Sequence, residues 1–178
     1  MNLLGRAAQL GVPAPVRKVL LTRLFTDTAA AFGRPVPQLR GLSFQQVLQA
    51  FRQFTAQTAT EESASSSISQ RLFDVSYRRG SWLRRAFGVV STDDAMAAAR
   101  VVYRCIGIDF EGRRHGEITI RGCFFSPFYT PQACNVMSAL DAGLLAGLSD
   151  GGRLVFSQRI TEGYPCCRAR LDRAEAVI

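Results

Sequence analysis

The spacing of hydrophobic residues changes about halfway along the chain. In the first hundred or so residues apolar side chains recur three to four positions apart, which is the spacing of one face of an α-helix. The clearest stripe consists of Phe44, Val47, Leu48, Phe51 and Phe54. From Val101 onward apolar and polar residues alternate, as in half-buried β-strands. The pattern therefore predicts helices followed by a sheet.

Several helix boundaries can be placed in the first part. Ser43 and Gln46 have the spacing of a capping box, and Ser91 to Asp94 caps a short alanine-rich helix that we expect to end at Arg100. Before them, a stripe of Val16, Val19, Leu20 and Leu24 runs up to prolines at positions 35 and 37. This proline-bounded segment is expected to form a helical arm. Residues 71–87, where aromatic side chains are interleaved with arginines, predict a helix pair with a solvated basic face, and binding of phosphates or carboxylates is the alternative.

The alternating part predicts four strands and one helix. Strands at 101–110 and 117–123 flank a turn and should form a hairpin. Thr130 as N-cap and Pro131 at the first helical position begin a helix that runs to about Ser149. Strands at 153–160 and 166–172 follow it.

These elements predict an α+β fold, in which a helical N-terminal half packs on a C-terminal antiparallel sheet of order β-β-α-β-β. We expect one domain over residues 1–178. Within it, residues 1–38 would form the helical arm, 39–100 the helical part, and 101–178 the α+β part that carries the cysteine motifs.

Composition favours a cytoplasmic protein with reduced thiols. The chain has 178 residues, 47% of them hydrophobic, which suffices for a core. The five cysteines are an odd number, and no secretory leader precedes them. Residues 122–140 carry no basic or acidic side chain, but prolines interrupt them, so no membrane span is expected.

The chain is basic, with 22 Lys and Arg against 14 Asp and Glu and a net charge of +8. Lys18 is the only lysine, a bias that we attribute to a GC-rich, bacterial genome. The charge is interpreted first as a solvated surface, with an anionic substrate, an acidic partner, self-association, or weak membrane-surface contact through residues 16–32 as alternatives. Nucleic-acid binding is not expected, because no recognition motif accompanies the charge.

Cys134 is the most activatable thiol in the sequence. It lies in the first turn of the helix that Thr130 begins, where the positive end of the helix dipole favours a thiolate. Ser138 and Asp141 follow four and seven positions later, so the three side chains can line one strip of the helix.

Two further cysteines are predicted to meet Cys134 at one end of the sheet. In the last strand Cys167 alternates in phase with Ala169 and should face the core, whereas Cys166 should face the other side. Cys123 ends its strand just before the loop that leads to the helix. Three interpretations stay open: buried small side chains, a nucleophilic site, or a thiolate metal site completed by His115 or Cys166. The metal site is the least favoured, and no metal or cofactor is expected.

About the last 60 residues, from Cys123 through Cys134 to Glu162-Gly-Tyr-Pro-Cys-Cys-Arg, resemble the L-2-amino-thiazoline-4-carboxylic acid hydrolase-like family. More distantly they are similar to domains of the 4-vinyl reductase and haem-NO-binding type. Gly163, Pro165 and Cys167 match the family's terminal Gly-Asp-Pro-x-Cys pattern, whereas Phe124 stands in place of its proline after the first cysteine and Tyr164 in place of its aspartate.

The resemblance implies a hydrolase that opens a cyclic C=N bond in a small anionic molecule. In that hypothesis Cys134 is the nucleophile with Cys123 beside it, Asp141 and Ser138 move the proton, and Arg121 binds a carboxylate. Cys167, Phe128 and Tyr129 would complete the substrate pocket. The alternative is a binding protein without catalysis, whose pocket takes a hydrophobic or tetrapyrrole-like molecule behind the aromatic loop at 124–129.

Overall fold

A computed structural model describes residues 12–61 and 66–172 of the chain. Five helices occupy these ranges: α1 (Ala14–Ala31), α2 (Phe44–Glu61), α3 (Ser66–Phe87), α4 (Thr92–Cys105) and α5 (Pro131–Ser149). The four strands are β1 (Ile108–Gly112), β2 (Glu117–Cys123), β3 (Arg153–Gln158) and β4 (Cys167–Asp172). The first eleven residues of the predicted arm lie outside the described residues. The predicted α+β class, with a helical N-terminal half and an antiparallel sheet, is confirmed.

The predicted helix caps are confirmed. The Ser43 backbone N–H donates to Gln46 Oε1 at 2.8 Å, and the Gln46 N–H donates to Ser43 Oγ at 3.3 Å. Ser91 and Asp94 form the same reciprocal pair at the start of α4. Thr130 Oγ1 accepts from the N–H of Ala133 at 3.1 Å, which fixes the start of α5.

The predicted first strand begins too early. Residues Val101 to Cys105 belong to α4, and β1 starts only at Ile108. The reason is that Val101 lies three positions after the buried Ala98 and Tyr103 lies four positions after the buried Ala99. Both side chains therefore extend the buried surface of α4, and helical burial overrides the alternating pattern of the sequence. Gly107, at φ +77°, then reverses the chain into the strand.

The strand order of the sheet also differs from the expected one. The order in space is β1-β2-β4-β3, all neighbours antiparallel, so β4 and not β3 lies next to β2. Helix α5 carries the chain past the sheet to its far edge, where β3 forms, and the last hairpin returns β4 into the gap. The prediction that the strands lie side by side in chain order is therefore wrong.

Helix α1 packs into the core instead of forming a separate arm. Its buried face includes Leu21 at 2% exposure and Phe25 at 0%, and Phe25 packs edge-on against the Phe51 ring at 5.2 Å. The predicted stripe selects the wrong face, because Val16 and Val19 are 47% and 67% exposed. That exposed face is the surface a membrane contact would use, and such a contact stays a prediction.

Helices α3 and α5 approach closely because glycines line their contact. A Cβ on Gly143 would lie 2.2 Å from the carbonyl oxygen of Phe73, and one on Gly80 would lie 2.3 Å from that of Leu144. Only glycine fits at such positions. This contact fixes α5, which carries three of the candidate site residues, against the helical half. Within the described ranges no helix is long and apolar enough to cross a membrane.

Candidate functional site

A cavity of about 250 Å³ lies between the helices and the inner face of the sheet. Most of its wall is apolar and comes from all five helices and β1. Its apolar lining includes Leu20, Leu21, Leu24, Phe51, Trp82, Leu83, Phe87, Val101, Ile106, Ile108, Phe125 and Leu144. Leu20 and Trp82 are also 42% and 56% exposed, so the cavity reaches the surface between α1 and α3.

The polar groups of the cavity come mainly from the segments around the end of β2, the first half of α5 and the connection from β3 to β4. They are Cys123, Ser126, Tyr129, Cys134, Ser138, Asp141, Thr161 and Cys167, with Tyr103 and Cys105 from α4, Arg17 from α1 and Arg79 from α3. All three cysteines selected from the sequence thus line one cavity. An apolar space with a few converging polar groups is the usual form of a small-molecule site.

A β-bulge turns Cys123 toward this cavity. Asp109 pairs with Gly122 and Phe110 pairs with Ile120, so Arg121 is the extra residue of β2. Beyond the bulge Cys123 pairs with the buried Ile108 and lies on the inner face. Without the extra residue, strict alternation would place Cys123 on the face opposite Ile120.

Arg121 lies outside the site, on the face of the sheet opposite Ile120. Its side chain is 58% exposed and donates to Glu111 at 2.6 Å, and it does not line the cavity. Phe128 is likewise outside, 51% exposed, with the Arg52 guanidinium 3.6 Å from its ring centre. The structure therefore does not bring these two predicted substrate-binding residues to the cavity, whereas Tyr129 and Cys167 do line it.

Arg159 is the polar residue of this region that sequence reasoning missed. Its Nη1 donates to Ser138 Oγ and lies 3.9 Å from Cys134 Sγ, and its Nη2 lies 3.5 Å from Asn135 Oδ1. The guanidinium also packs 4.0 Å over the Phe156 ring. The available signal was an arginine at the end of the strand predicted over 153–160, near the start of α5. Its positive charge adjoins the sulfur of Cys134.

Burial keeps Cys123 and Cys167 in the neutral thiol form. Burial is the main cause that raises the pKa of Cys123 to about 11, although the backbone N–H groups of Phe125 and Ser126 oppose it. The pKa of Cys167 is also raised by burial, against a hydrogen bond that the Ile160 N–H donates to its sulfur at 3.4 Å. Neither thiol is poised as a nucleophile at neutral pH.

Asp141 places a carboxyl group in this apolar surrounding. Tyr103 on α4 donates its hydroxyl to Asp141 Oδ1 at 2.8 Å, and the Tyr103 ring stacks on Phe110 at 4.8 Å. Burial raises the pKa of Asp141 to about 6, while the Tyr103 hydrogen bond and the charge of Arg159 act to lower it. The carboxyl is therefore mostly ionised at neutral pH and titrates just below it.

Tyr129 closes the same end of the cavity. Its hydroxyl and that of Thr55 lie 2.6 Å apart, which ties the loop before α5 to α2. Burial raises the pKa of Tyr129 well above its usual value, so this hydroxyl stays protonated.

The described residues contain no group of three or more His, Cys, Asp or Glu side chains that could hold a metal ion. His115 lies in the turn between β1 and β2, at the opposite end of β2 from Cys123. Cys166 is outside the cavity lining. The two residues considered as a fourth ligand are therefore not placed with the three cysteines.

No protein-family model matches the chain, and no curated protein matches its sequence.

Proposed function

We propose that the protein binds a small, largely apolar molecule in the cavity between its helices and its sheet. The observation that carries this proposal is the cavity itself, about 250 Å³ lined mostly by apolar side chains and open between α1 and α3. Protein interiors rarely keep voids of this size without a use, because an unfilled cavity loses packing energy. A ligand supplies the missing contacts.

The protonated thiols support binding in preference to thiol catalysis. Cys123 and Cys167 contribute polarisable, neutral surface to the cavity wall, which suits an apolar or aromatic ligand. A tetrapyrrole-like molecule belongs to this class and would show itself by its colour.

Native mass spectrometry and an absorption spectrum of the purified protein test the proposal. We expect a small-molecule adduct that unfolding releases. Leu24→Trp fills the cavity from α1 and should abolish the adduct, whereas Val90→Trp, at a position 89% exposed and outside the cavity, should keep it. A wild-type protein that carries no adduct and takes up no added apolar probe would refute the proposal.

A second function, hydrolysis at Cys134, is favoured by one observation: Arg159 holds a positive charge 3.9 Å from the Cys134 sulfur. In the reaction that the family resemblance implies, the Cys134 sulfur adds to the C=N carbon and the ring nitrogen takes the thiol proton. A water oxygen then bonds to this carbon as the bond to Cys134 breaks, and one proton of the water restores the thiol. The ring opens when the C–N bond breaks, as the other water proton moves to the nitrogen and the carbon becomes a carbonyl. Asp141 and Ser138 line the same cavity as the sulfur and are the candidates to move the proton.

Turnover of aminothiazoline carboxylate tests the hydrolase. Cys134→Ser should abolish it, and Cys166→Ser, outside the cavity, should keep it. Full activity in Cys134→Ser, or none in the wild type, would leave binding as the function.

A further inference from the structure

Asp141 is a half-buried carboxylate of the cavity wall that forms no ion pair in the described part of the chain. Its one hydrogen bond within these ranges is the one from the neutral Tyr103 hydroxyl. Removing a carboxylate from water costs free energy unless the carboxylate is paired and hydrogen-bonded. A charged partner would therefore stabilise Asp141. The carboxylate lines the cavity, so a bound molecule can reach it.

The side chains around Asp141 do not neutralise it. Tyr103 from α4, Cys123 from β2 and Cys167 from β4 face it, and burial raises the pKa of each, so all three are neutral at physiological pH. The remaining neighbours are Tyr129, protonated for the same reason, and Cys134 on the helix of Asp141 itself.

Arg159 is the cation whose charge acts on Asp141, and it is engaged elsewhere. Arg17 and Arg79 also line the cavity, but Arg17 donates to the Cys105 carbonyl and Arg79 pairs with Asp27. Arg159 donates to Ser138 and lies 3.8 Å from a carboxylate oxygen of Glu162, while its distance from Asp141 exceeds an ion pair. Its charge therefore lowers the pKa of Asp141 from a distance without pairing with it.

A second polar atom of the cavity also lacks a partner. Thr161 Oγ1 is buried, and the described residues offer it no hydrogen bond. Its lone pairs can accept an N–H, as can the carboxylate oxygens of Asp141. Thr161 thus adds one acceptor to those of Asp141 in the cavity wall.

We propose that the ligand carries a cationic amine or amidinium group that pairs with Asp141, and an apolar body that extends toward Leu20 and Trp82. This inference rests on the proposed binding function and names the ligand class for it. A charge-assisted hydrogen bond from the ligand cation to Asp141 would then compensate for the water that the carboxylate loses in the apolar cavity.

Three probes with one tail and different head groups test it: decylamine, decanol and decanoate, titrated into the full chain at neutral pH. Trp82, the only tryptophan, lines the cavity and reports binding by its fluorescence. We expect decylamine to bind at least about tenfold more tightly than decanol, which corresponds to one charge-assisted contact. Asp141→Asn keeps the shape and the acceptor for Tyr103, and should bring the affinities for decylamine and decanol to within about twofold of each other.

The wild-type protein provides a second measurement that needs no variant. At about pH 5, where Asp141 is mostly protonated, decylamine should lose its advantage over decanol, because the amine stays charged and the carboxyl does not.

The outcomes separate the two proposals. If none of the probes binds, the binding function itself fails. If decanol binds the wild type and decylamine binds it no more tightly, the cationic head group is refuted while the binding function stands. The same conclusion follows if decylamine binds Asp141→Asn more tightly than decanol does. Tightest binding of decanoate would refute it too, and would assign the head group to Arg17 or Arg79, whose Nε atoms are buried in the same lining without a partner among the described residues.

Discussion

Arg121 and Cys123 lie two positions apart on β2 but on opposite faces of the sheet. The bulge at Arg121 causes this, since the extra residue shifts every later side chain of β2 by one position. Arg121 pairs with the exposed Glu111, whereas Cys123 enters the cavity.

Arg121→Gln should therefore leave ligand binding unchanged. The pair that it breaks lies at the surface, where solvent screens it, so the free energy of unfolding should stay almost unchanged. Isothermal titration with an apolar probe and urea unfolding measure the two effects. If Arg121→Gln lost binding to the same extent as Leu24→Trp, Arg121 would have to be part of the ligand site.

Cys123 should react slowly with an alkylating agent. The pKa of Cys123 rises from 9.0 to about 11 on burial, so its thiolate fraction in the native state is about 100-fold below that of an ordinary thiol. Iodoacetamide labelling followed peptide by peptide, in buffer and in urea, checks this. Equal labelling rates at Cys123 under both conditions would show that the thiol is not buried.

The sequence predicted the cysteine site better than it predicted the residues around it. Phase in the last strand correctly assigned Cys167 to the core side, and the Thr130 cap correctly placed Cys134 in the first turn of α5. Both depend only on local periodicity and capping, which a sequence displays directly.

The missed features depend on contacts between distant segments. The bulge at Arg121 has no sequence signature, because any residue can be the extra one in a strand pair. Arg159 meets Cys134 only because α5 and the end of β3 pack together, 25 residues apart in sequence. The sheet order has the same origin, since alternation predicts strands but not which strands pair.

The stability of the protein should fall as the pH rises from about 4 to 7. The pKa of Asp141 is about 6 in the folded chain against 3.8 for an exposed aspartate, so between these values the folded state binds the proton more tightly. The protonated Asp141 stabilises the fold below pH 4. This contribution to the free energy of unfolding, about 3 kcal/mol, is lost as the carboxyl ionises. Asp141→Asn should lack this loss.

Urea unfolding of wild type and Asp141→Asn at a series of pH values measures the difference. The two curves should diverge with rising pH, with the variant the more stable at neutral pH. Parallel curves would mean that Asp141 titrates normally in the fold.

Gly143→Ala should destabilise the contact between α3 and α5. Its Cβ would lie 2.2 Å from the Phe73 carbonyl oxygen, so the helices must separate, at a cost of about 3 kcal/mol. Gly122→Ala is the matched control, since its Cβ would meet only Asp109 at an ordinary 3.7 Å. Thermal unfolding compares them, and equal melting temperatures would contradict the close helix contact.

The most direct test of the binding function is the heat of decanol binding to three proteins: wild type, Leu24→Trp and Val90→Trp. Wild type and Val90→Trp should bind one decanol per chain with equal affinity, while Leu24→Trp, with its cavity filled, should bind none. Binding to all three with the same affinity, or to none of them, would contradict a ligand site in the cavity.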